Sequence, residues 1–161
     1  MNLVYRKANI NDIDDIDDLV DFKIKQNIFT CNREGITLKN EDLARKNIKN
    51  ILMKELNKTI YFYIAIDESN NRTVACNGVV VHQMIPSALF LNGKKAYITS
   101  VYTDEDYRRN GIQNKLMNMV LDLLKELDCR KIELDAVNPN AIKLYEKFGF
   151  KRDDEKFILK N

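Results

Sequence analysis

The sequence RRNGIQ at residues 108–113 could bind a phosphate group. It follows a β-favouring segment, and apolar residues recur at helical spacing after it, so these residues form a strand-to-helix loop. Such a loop presents unpaired backbone N–H groups at the positive end of the helix dipole, where anions bind. Arg108 and Arg109 add positive charge, and Gly111 allows a ligand to approach the main chain closely. The pattern predicts a site for a phosphorylated small molecule.

The loop matches neither of two common phosphate-binding motifs. The spacing Gly-x4-Gly-Lys-Ser/Thr of a P-loop is absent, and one glycine is too few for the dinucleotide fingerprint. The alternative interpretation, an ordinary turn with two solvated arginines, stays open when the loop is considered by itself.

A second segment, NPNAIKLYEKFGF at residues 138–150, combines a helix start, a tyrosine and a helix end. Asn138 is a good N-cap, Pro139 suits the first helical position, and Gly149 is suited to follow the last turn. Tyr145 lies on the apolar face of this predicted helix. Considered alone, such a tyrosine is more often a core aromatic with a satisfied hydroxyl than a catalytic acid.

The elements that position these segments follow from hydrophobic periodicity and from turn residues. Strands are predicted at residues 3–7, 59–66, 73–83, 97–103 and 131–137, with one or two short final strands at residues 150–160. Helices are predicted after a cap at Asn9 or Asn11, at about residues 40–57, at about residues 110–127 and after Asn138. Residues 26–38 and 84–94 are predicted to be irregular.

The resulting order, β-α-α-β-β-β-α-β-α-β(β), is typical of an α/β (α+β) fold. We expect a mixed, mostly antiparallel sheet of six to seven strands with helices on both faces. A chain of 161 residues with no visible linker or repeat predicts a single domain over residues 1–161.

Composition narrows the class of protein. The net charge of +2 is too balanced for a nucleic-acid-binding surface. No apolar run approaches the ~20 residues of a membrane span, and the first residues lack the apolar core of a signal peptide. Three widely spaced cysteines and a single histidine have no metal-ligand spacing. We expect a cytoplasmic protein with reduced cysteines, no metal, and no nucleic-acid or membrane partner.

Together, the two segments resemble the motifs of the GNAT superfamily of N-acetyltransferases. The first matches that family's acetyl-coenzyme A motif, Gln/Arg-x-x-Gly-x-Gly/Ala, and the second, about twenty-five residues later, matches its tyrosine-bearing helix. The resemblance implies an enzyme that transfers an acetyl group from acetyl-CoA to a primary amine of a small molecule or peptide by direct attack on the thioester. A non-catalytic acyl-CoA-binding sensor or partner module is the alternative.

The resemblance also implies roles for particular residues. The strand before the loop would pair with the pantetheine arm, N–H groups from Arg109 to Lys115 would bind the pyrophosphate, and Tyr145 would protonate the departing thiolate. Gln113 departs from the family pattern, which has a small residue there; its side chain either turns away or contacts the cofactor. The implied cofactor-binding residues are Val101, Tyr102, Thr103, Arg108, Arg109, Asn110, Gly111, Ile112, Gln113, Asn114, Lys115 and Asn138.

The base that deprotonates the amine is not evident, because the glutamate that serves in many relatives is missing from residues 97–103. A water relay without a dedicated protein base is the first choice, and His82, Glu133 and Asp135 are the alternatives. No cysteine has a neighbouring histidine or a predicted helix N-terminus to activate it, so we expect no acetyl-enzyme.

The resemblance also implies that the acceptor amine binds between the first two helices, the loop that joins them and the loop after the hairpin, here residues 24–38 and 84–94. These segments are rich in apolar residues and contain few acids. The acidic run at residues 12–21 is interpreted as a solvated helix face, with attraction of a cationic acceptor as the alternative. It is not a calcium loop, because the spacing of oxygen ligands and the central glycine are missing. The sequence leaves open both the identity of the acceptor and the assembly state, including a homodimer.

Overall fold

The computed structural model describes residues 1–153 and 159, which form five strands and four helices. In chain order these are β1 (Leu3–Lys7), α1 (Ile13–Glu34), α2 (Glu41–Glu55), β2 (Ile60–Asp67), β3 (Arg72–Gln83), β4 (Lys94–Thr103), α3 (Ile112–Glu126), β5 (Lys131–Leu134) and α4 (Pro139–Lys147). A 3-10 turn, Glu105–Tyr107, lies between β4 and α3. Among these helices, none is long and apolar enough to cross a membrane.

The strands form one sheet in the order β1-β2-β3-β4-β5. Neighbouring strands are antiparallel except β4 and β5, which are parallel because α3 crosses over between them. The mixed, mostly antiparallel sheet is therefore confirmed. The prediction of six to seven strands, and of the final β(β) in the element order, is not matched by the described part of the chain.

The first residues of the predicted final segment follow a turn at the end of α4. The Phe150 N–H donates to the Tyr145 carbonyl (3.1 Å), and the two rings pack edge to face with centroids 6.1 Å apart. This turn directs the chain back onto α4, and residues 150–153 contain no strand. The rest of the predicted final segment, residues 154–158 and 160, lies outside the described residues.

Helices cover both faces of the sheet, as predicted, because side chains alternate along each strand. On β2, Ile64 is buried in one cluster with Ile16 of α1 and Leu52 of α2. Its neighbour Ala65 points to the other face, where it packs with Leu116 of α3. The α4 helix joins α3 on that second face.

The cap of α1 is Asp12, so the prediction of Asn9 or Asn11 is wrong. The Asp12 carboxylate accepts the Asp14 N–H (3.1 Å), whereas the Asn9 side chain accepts the Asn11 N–H (3.0 Å) in the preceding turn. Since Asn and Asp are equally good caps, local preference does not choose between neighbouring positions.

The second half of α1 corrects the expectation that residues 26–38 are irregular, because the helix continues to Glu34 and ends at Gly35. Polar side chains in this part find partners on the sheet. The Gln26 amide donates to the Val101 carbonyl on β4 (2.9 Å), and the Lys25 ammonium lies 3.2 Å from Asp104. These tertiary contacts support helix where apolar periodicity has ended.

Candidate active site

A cleft opens in the sheet where β4 and β5 separate. The two strands pair only as far as Ile98 and Leu134, so β5 is shorter than its predicted 131–137 span. Just beyond, Asn77 of β3 lies opposite two residues of β4, Ser100 and Val101, and Ser100 has a φ of +53°. This bulge bends β4 away from β5. In the described part of the chain, residues 99–103 of β4 have no strand beside them on the β5 side, so an extended ligand can pair there.

The N-terminus of α3 lies at the end of β4 and has no side-chain cap. Gly111 precedes the helix with a φ of +72°, and α3 begins at Ile112 rather than at the predicted residue 110. A Cβ at Gly111 would find no atom closer than 4.0 Å, so the space above this turn is open. The free N–H groups of the first turn, from Ile112 to Asn114, therefore face a vacant approach.

The predicted anion-binding side chains have different surroundings. Arg108 donates to the Thr103 carbonyl (3.1 Å) and lies 3.3 Å from Glu105, so its guanidinium is held against the end of β4. The Asn110 amide donates to the Tyr107 carbonyl (3.1 Å), which shapes the turn. Arg109 is exposed and has a φ of +65°. Of these side chains, Arg109 is the most available to an incoming anion.

Lys115 does not have the free backbone N–H that its predicted role in binding pyrophosphate requires. Its N–H donates to the Gly111 carbonyl (3.3 Å) inside the first turn of α3, so this N–H is not among the free ones. Its ammonium lies 4.3 Å from the Tyr5 ring centroid, over β1.

Gln113 turns into the sheet instead of outward. Its amide nitrogen lies 2.8 Å from the Tyr102 carbonyl, 3.0 Å from Thr103 Oγ1 and 3.1 Å from the Cys76 carbonyl. Its amide oxygen lies 3.4 Å from Nδ2 of Asn77, a fully buried residue whose Oδ1 has no partner among described residues. Gln113 thus joins α3 to β3 and β4 at the bulge, while its backbone N–H stays at the helix end.

Tyr145 stands on the wall of the cleft. It is 7% exposed and belongs to the cluster that includes Val101 and Leu134, which flank the cleft. Burial raises the pKa of its hydroxyl, which therefore keeps its proton at neutral pH. As predicted, Asn138 caps the helix that carries it: the Asn138 side chain accepts the Asn140 N–H (2.9 Å). Such a hydroxyl can donate a proton to a group in the cleft.

The three candidate bases have unequal surroundings. Glu133 lies 2.6 Å from Lys95 and 3.4 Å from Lys131, so its charge is already shared by two ammonium groups. Asp135 accepts the Tyr97 hydroxyl (2.7 Å) beside the cleft. Burial, with a further effect of this hydrogen bond, raises the pKa of Tyr97 to about 12. His82 is exposed near the end of β3.

The cysteines are free thiols, as expected. Cys76 is buried, its sulfur donates to the Ser100 carbonyl (3.1 Å), and burial raises the pKa of its thiol. A protonated thiol bound to the bulge is a structural group, not a nucleophile. No group of three or more acidic, histidine or cysteine side chains that could hold a metal occurs in the described residues.

The family-wide sequence profile described as "Acetyltransferase (GNAT) family" matches residues 27–150. The chain belongs to the GNAT acetyltransferase family. A predicted acetyltransferase of this kind from Clostridium acetobutylicum, whose crystal structure contains acetyl-CoA, is 29% identical and superposes with a TM-score of 0.79 over 98% of this chain and 96% of that one. A GCN5-related N-acetyltransferase from Ralstonia eutropha has the same fold, with a TM-score of 0.78, 19% identity and 98% of both chains covered.

Curated GNAT relatives match shorter segments. Human N-alpha-acetyltransferase 30 is 38% identical over 66 residues, which is 40% of this chain and 18% of the relative. Glucosamine 6-phosphate N-acetyltransferase 1 from Dictyostelium discoideum is 25% identical over 100 residues, 62% of this chain and 61% of the relative. The chain thus spans less than two thirds of either relative. Acetyl-CoA is the co-substrate of GNAT acetyltransferases, and the family match indicates an enzyme.

Several contacts at the site were not anticipated from the sequence. The Gln26 bond to Val101 and the Tyr97 bond to Asp135 each join elements far apart in the chain. The sequence does indicate that Gln26 faces the sheet, because it continues the helical spacing of the inward residues Ile16 and Leu19. No local signal pairs Tyr97 with Asp135, because the pairing depends on strand register.

Proposed function

We propose that the chain is an acetyl-CoA-dependent N-acetyltransferase that acts on a primary amine of a small molecule or peptide by direct attack on the thioester. The observation that supports this most is a juxtaposition: the β4–β5 cleft opens beside the uncapped N-terminus of α3, with Tyr145 on its wall. One end can bind phosphate, the middle can pair with an extended amide chain, and the other end offers an acid.

The proposed cofactor position follows from these three parts. The pyrophosphate binds the N–H groups of residues 112–114 beside Arg109, with Gly111 leaving room. The pantetheine arm follows the backbone from Thr103 to Val101, and Asn138 is proposed to contact it. Arg108 and Asn110 contribute by shaping the loop, as their contacts to β4 and to the turn indicate.

The proposed reaction begins with a neutral amine. Its nitrogen attacks the thioester carbon, a C–N bond forms, and the C–S bond breaks. Tyr145 gives its proton to the departing sulfur, whose thiol has a solution pKa of ~8.5, and regains a proton from solvent afterwards. The acetyl amide and coenzyme A leave the cleft.

The proton of the attacking amine is proposed to leave through a water relay that ends at Asp135. One Asp135 oxygen holds the Tyr97 hydroxyl at 2.7 Å, which orients the carboxylate and leaves its other oxygen for water. Glu133 is less suited, because Lys95 and Lys131 both neutralise it. His82 is less suited because it is exposed near the strand end, away from the cleft.

Both kinds of acceptor remain within the proposal. One relative is named for acetylating an α-amine and another for acetylating glucosamine 6-phosphate, and each bears a primary amine. We further propose that the domain extends over residues 1–161, acts in the cytoplasm, and needs neither metal nor nucleic acid; a homodimer is compatible with the proposal.

The test combines thiol release with a pair of variants that are matched in size and differ in charge. Gly111→Asn and Gly111→Asp have the same size, and both tolerate a positive φ. The aspartate alone places negative charge at the proposed pyrophosphate position. We expect native protein and Gly111→Asn to release coenzyme A from acetyl-CoA with an amine panel, and Gly111→Asp to bind coenzyme A at least tenfold more weakly than Gly111→Asn.

Equal coenzyme A affinity of the two Gly111 variants would show that the anion site lies elsewhere. Tight coenzyme A binding without turnover across the whole amine panel would instead favour the non-catalytic acyl-CoA-binding module.

A further inference from the structure

The inward face of α1 changes character as the helix crosses the sheet. Its first half contributes Ile16 and Leu19, both buried in the core. At the same helical spacing, its second half presents Lys23 and Gln26. The Gln26 amide reaches the Val101 carbonyl at the bulge, so the polar part of this face begins where the cleft begins.

Lys23 is a half-buried lysine to which the described part of the chain supplies no partner. It forms no ion pair or hydrogen bond with the described residues, although the nearby Lys25 lies 3.2 Å from Asp104. Its ammonium lies within electrostatic range of the Cys76 thiol, which is protonated and carries no charge. Burial lowers the pKa of Lys23. An ammonium placed in this way loses hydration without gaining a counter-charge, which disfavours folding.

The acceptor must approach the thioester from this side of the sheet. On the opposite face, the cleft is filled by the cluster of Tyr145, Val101 and Leu134 with α3 and α4. On the α1 face, Tyr97 and Asp135 lie along the edge of the cleft. Lys23 lies one helical turn before Gln26, whose amide reaches Val101 at this cleft, so an amine held near Asp135 shares this face of the sheet with Lys23.

We propose that Lys23 binds an anionic group of the acceptor, a carboxylate or a phosphate, so that the enzyme prefers amines that also carry negative charge. This inference rests on the proposed acetyltransferase function and names the substrate class of that site. The acceptor supplies the counter-charge that Lys23 lacks among the described residues.

The sheet sets the distance between the two groups of the acceptor. Cys76, which is within electrostatic range of Lys23, lies on β3 opposite Tyr102, whereas Tyr97, which holds Asp135, lies opposite Val80. At about 3.3 Å per residue, these two levels of the sheet are about 13 Å apart. The preferred acceptor therefore has its amine and its anion separated by a chain of several bonds, which the long Lys23 side chain helps to span.

The experiment measures kcat and KM for a series of ω-amino acids, from glycine to 10-aminodecanoate, and for their uncharged amides. Aminoalkyl phosphonates of the same lengths distinguish a phosphate-like anion from a carboxylate. The variants are Lys23→Met, which removes the charge at similar size, and Lys23→Arg, which keeps it. Lys49→Met, at a half-exposed lysine of α2 whose ammonium lies 2.6 Å from Asp17, is the control for the loss of one positive charge.

We expect an optimum at an intermediate chain length and lower KM for the charged acceptors. Lys23→Met should raise KM for them by about 10- to 100-fold while changing KM for the amides less than threefold, as expected for one charge-assisted contact. Lys23→Arg should restore much of the preference, and Lys49→Met should change neither.

Two results would overturn the inference in distinguishable ways. If native protein acetylates amines but treats acids and amides alike, or if Lys23→Met affects both equally, the acetyltransferase proposal stands and the anion site is wrong. If native protein acetylates no amine in the panel, the proposed function fails and the inference fails with it. Thermal unfolding of Lys23→Met, expected at or above the native temperature, verifies that the variant is folded.

Discussion

Replacing Gln113 with alanine should destabilise the protein without weakening coenzyme A binding. The amide nitrogen has two hydrogens and three acceptors, the Tyr102 carbonyl at 2.8 Å, Thr103 Oγ1 at 3.0 Å and the Cys76 carbonyl at 3.1 Å. The variant therefore loses about two hydrogen bonds at about 1 kcal/mol each. Buried Asn77 also loses its contact with the Gln113 amide oxygen, which adds up to about 1 kcal/mol.

The sum is a loss of about 2–3 kcal/mol in the free energy of unfolding. For a chain of 161 residues, this corresponds to a fall in Tm of about 4–12 °C. The backbone N–H groups at the start of α3 are untouched, so the Kd for coenzyme A should change by less than about threefold once the protein is folded.

The assay is thermal unfolding with and without coenzyme A, together with calorimetric titration at a temperature well below both transitions. Asn118→Ala is the matched control, because Asn118 is an exposed amide on the same helix whose side chain, among the described residues, hydrogen-bonds only to the Asn114 carbonyl (3.0 Å). It should shift Tm by no more than 1–2 °C. An unchanged Tm with a tenfold weaker Kd in Gln113→Ala would refute the reasoning, because it would make the amide a cofactor ligand.

Two further predictions concern other parts of the molecule. Tyr145→Phe should lower kcat by about 10²-fold or more and leave the Kd for coenzyme A nearly unchanged, and unchanged turnover over a full pH profile would remove Tyr145 as the acid. Asp67 accepts the Ser69 hydroxyl and N–H and the Tyr107 hydroxyl, and these bonds hold its pKa at about 2, below the ordinary 3.8. Because the folded pKa is the lower one, its stabilisation is present above pH 4 and is lost as the pH falls toward 2. Asp67→Asn should therefore be less stable than native protein at pH 7 in urea unfolding, with a difference that shrinks below pH 4; a constant difference down to pH 2 would contradict this.

Local features of the chain were predictable because they depend on neighbouring residues. Preferences that act within a few residues predict Asn138 as a cap and Pro139 at the first position of α4. They also predict the strand-to-helix turn at Gly111. Most of the strand positions follow equally from period-two patterns. The family motifs then add the prediction that acetyl-CoA is the cofactor.

Features that depend on register or on distant partners could not be predicted. The contact between Tyr97 and Asp135 requires the β4–β5 register, in which Tyr97 lies opposite Glu133, and the crossover through α3 sets that register. The Gln113 side chain turns inward because the bulge leaves backbone carbonyls free to accept its amide hydrogens. Nothing near Gln113 in the sequence indicates that β4 has a bulge near Ser100.

The length of α1 restricts which insertions and deletions the chain can accept. Near one end, the Asp15 carboxylate accepts hydrogen bonds from two guanidinium nitrogens of Arg6 on β1 (2.6 and 2.8 Å). Eleven residues later, the Gln26 amide donates a hydrogen bond to the Val101 carbonyl on β4. Eleven residues of helix span about 16 Å, close to the about 14 Å that separates β1 from β4. One residue added between Asp15 and Gln26 would rotate Gln26 by about 100° and lengthen the span by 1.5 Å. We therefore expect relatives with the same two anchors to vary in the turns after α1 rather than within it.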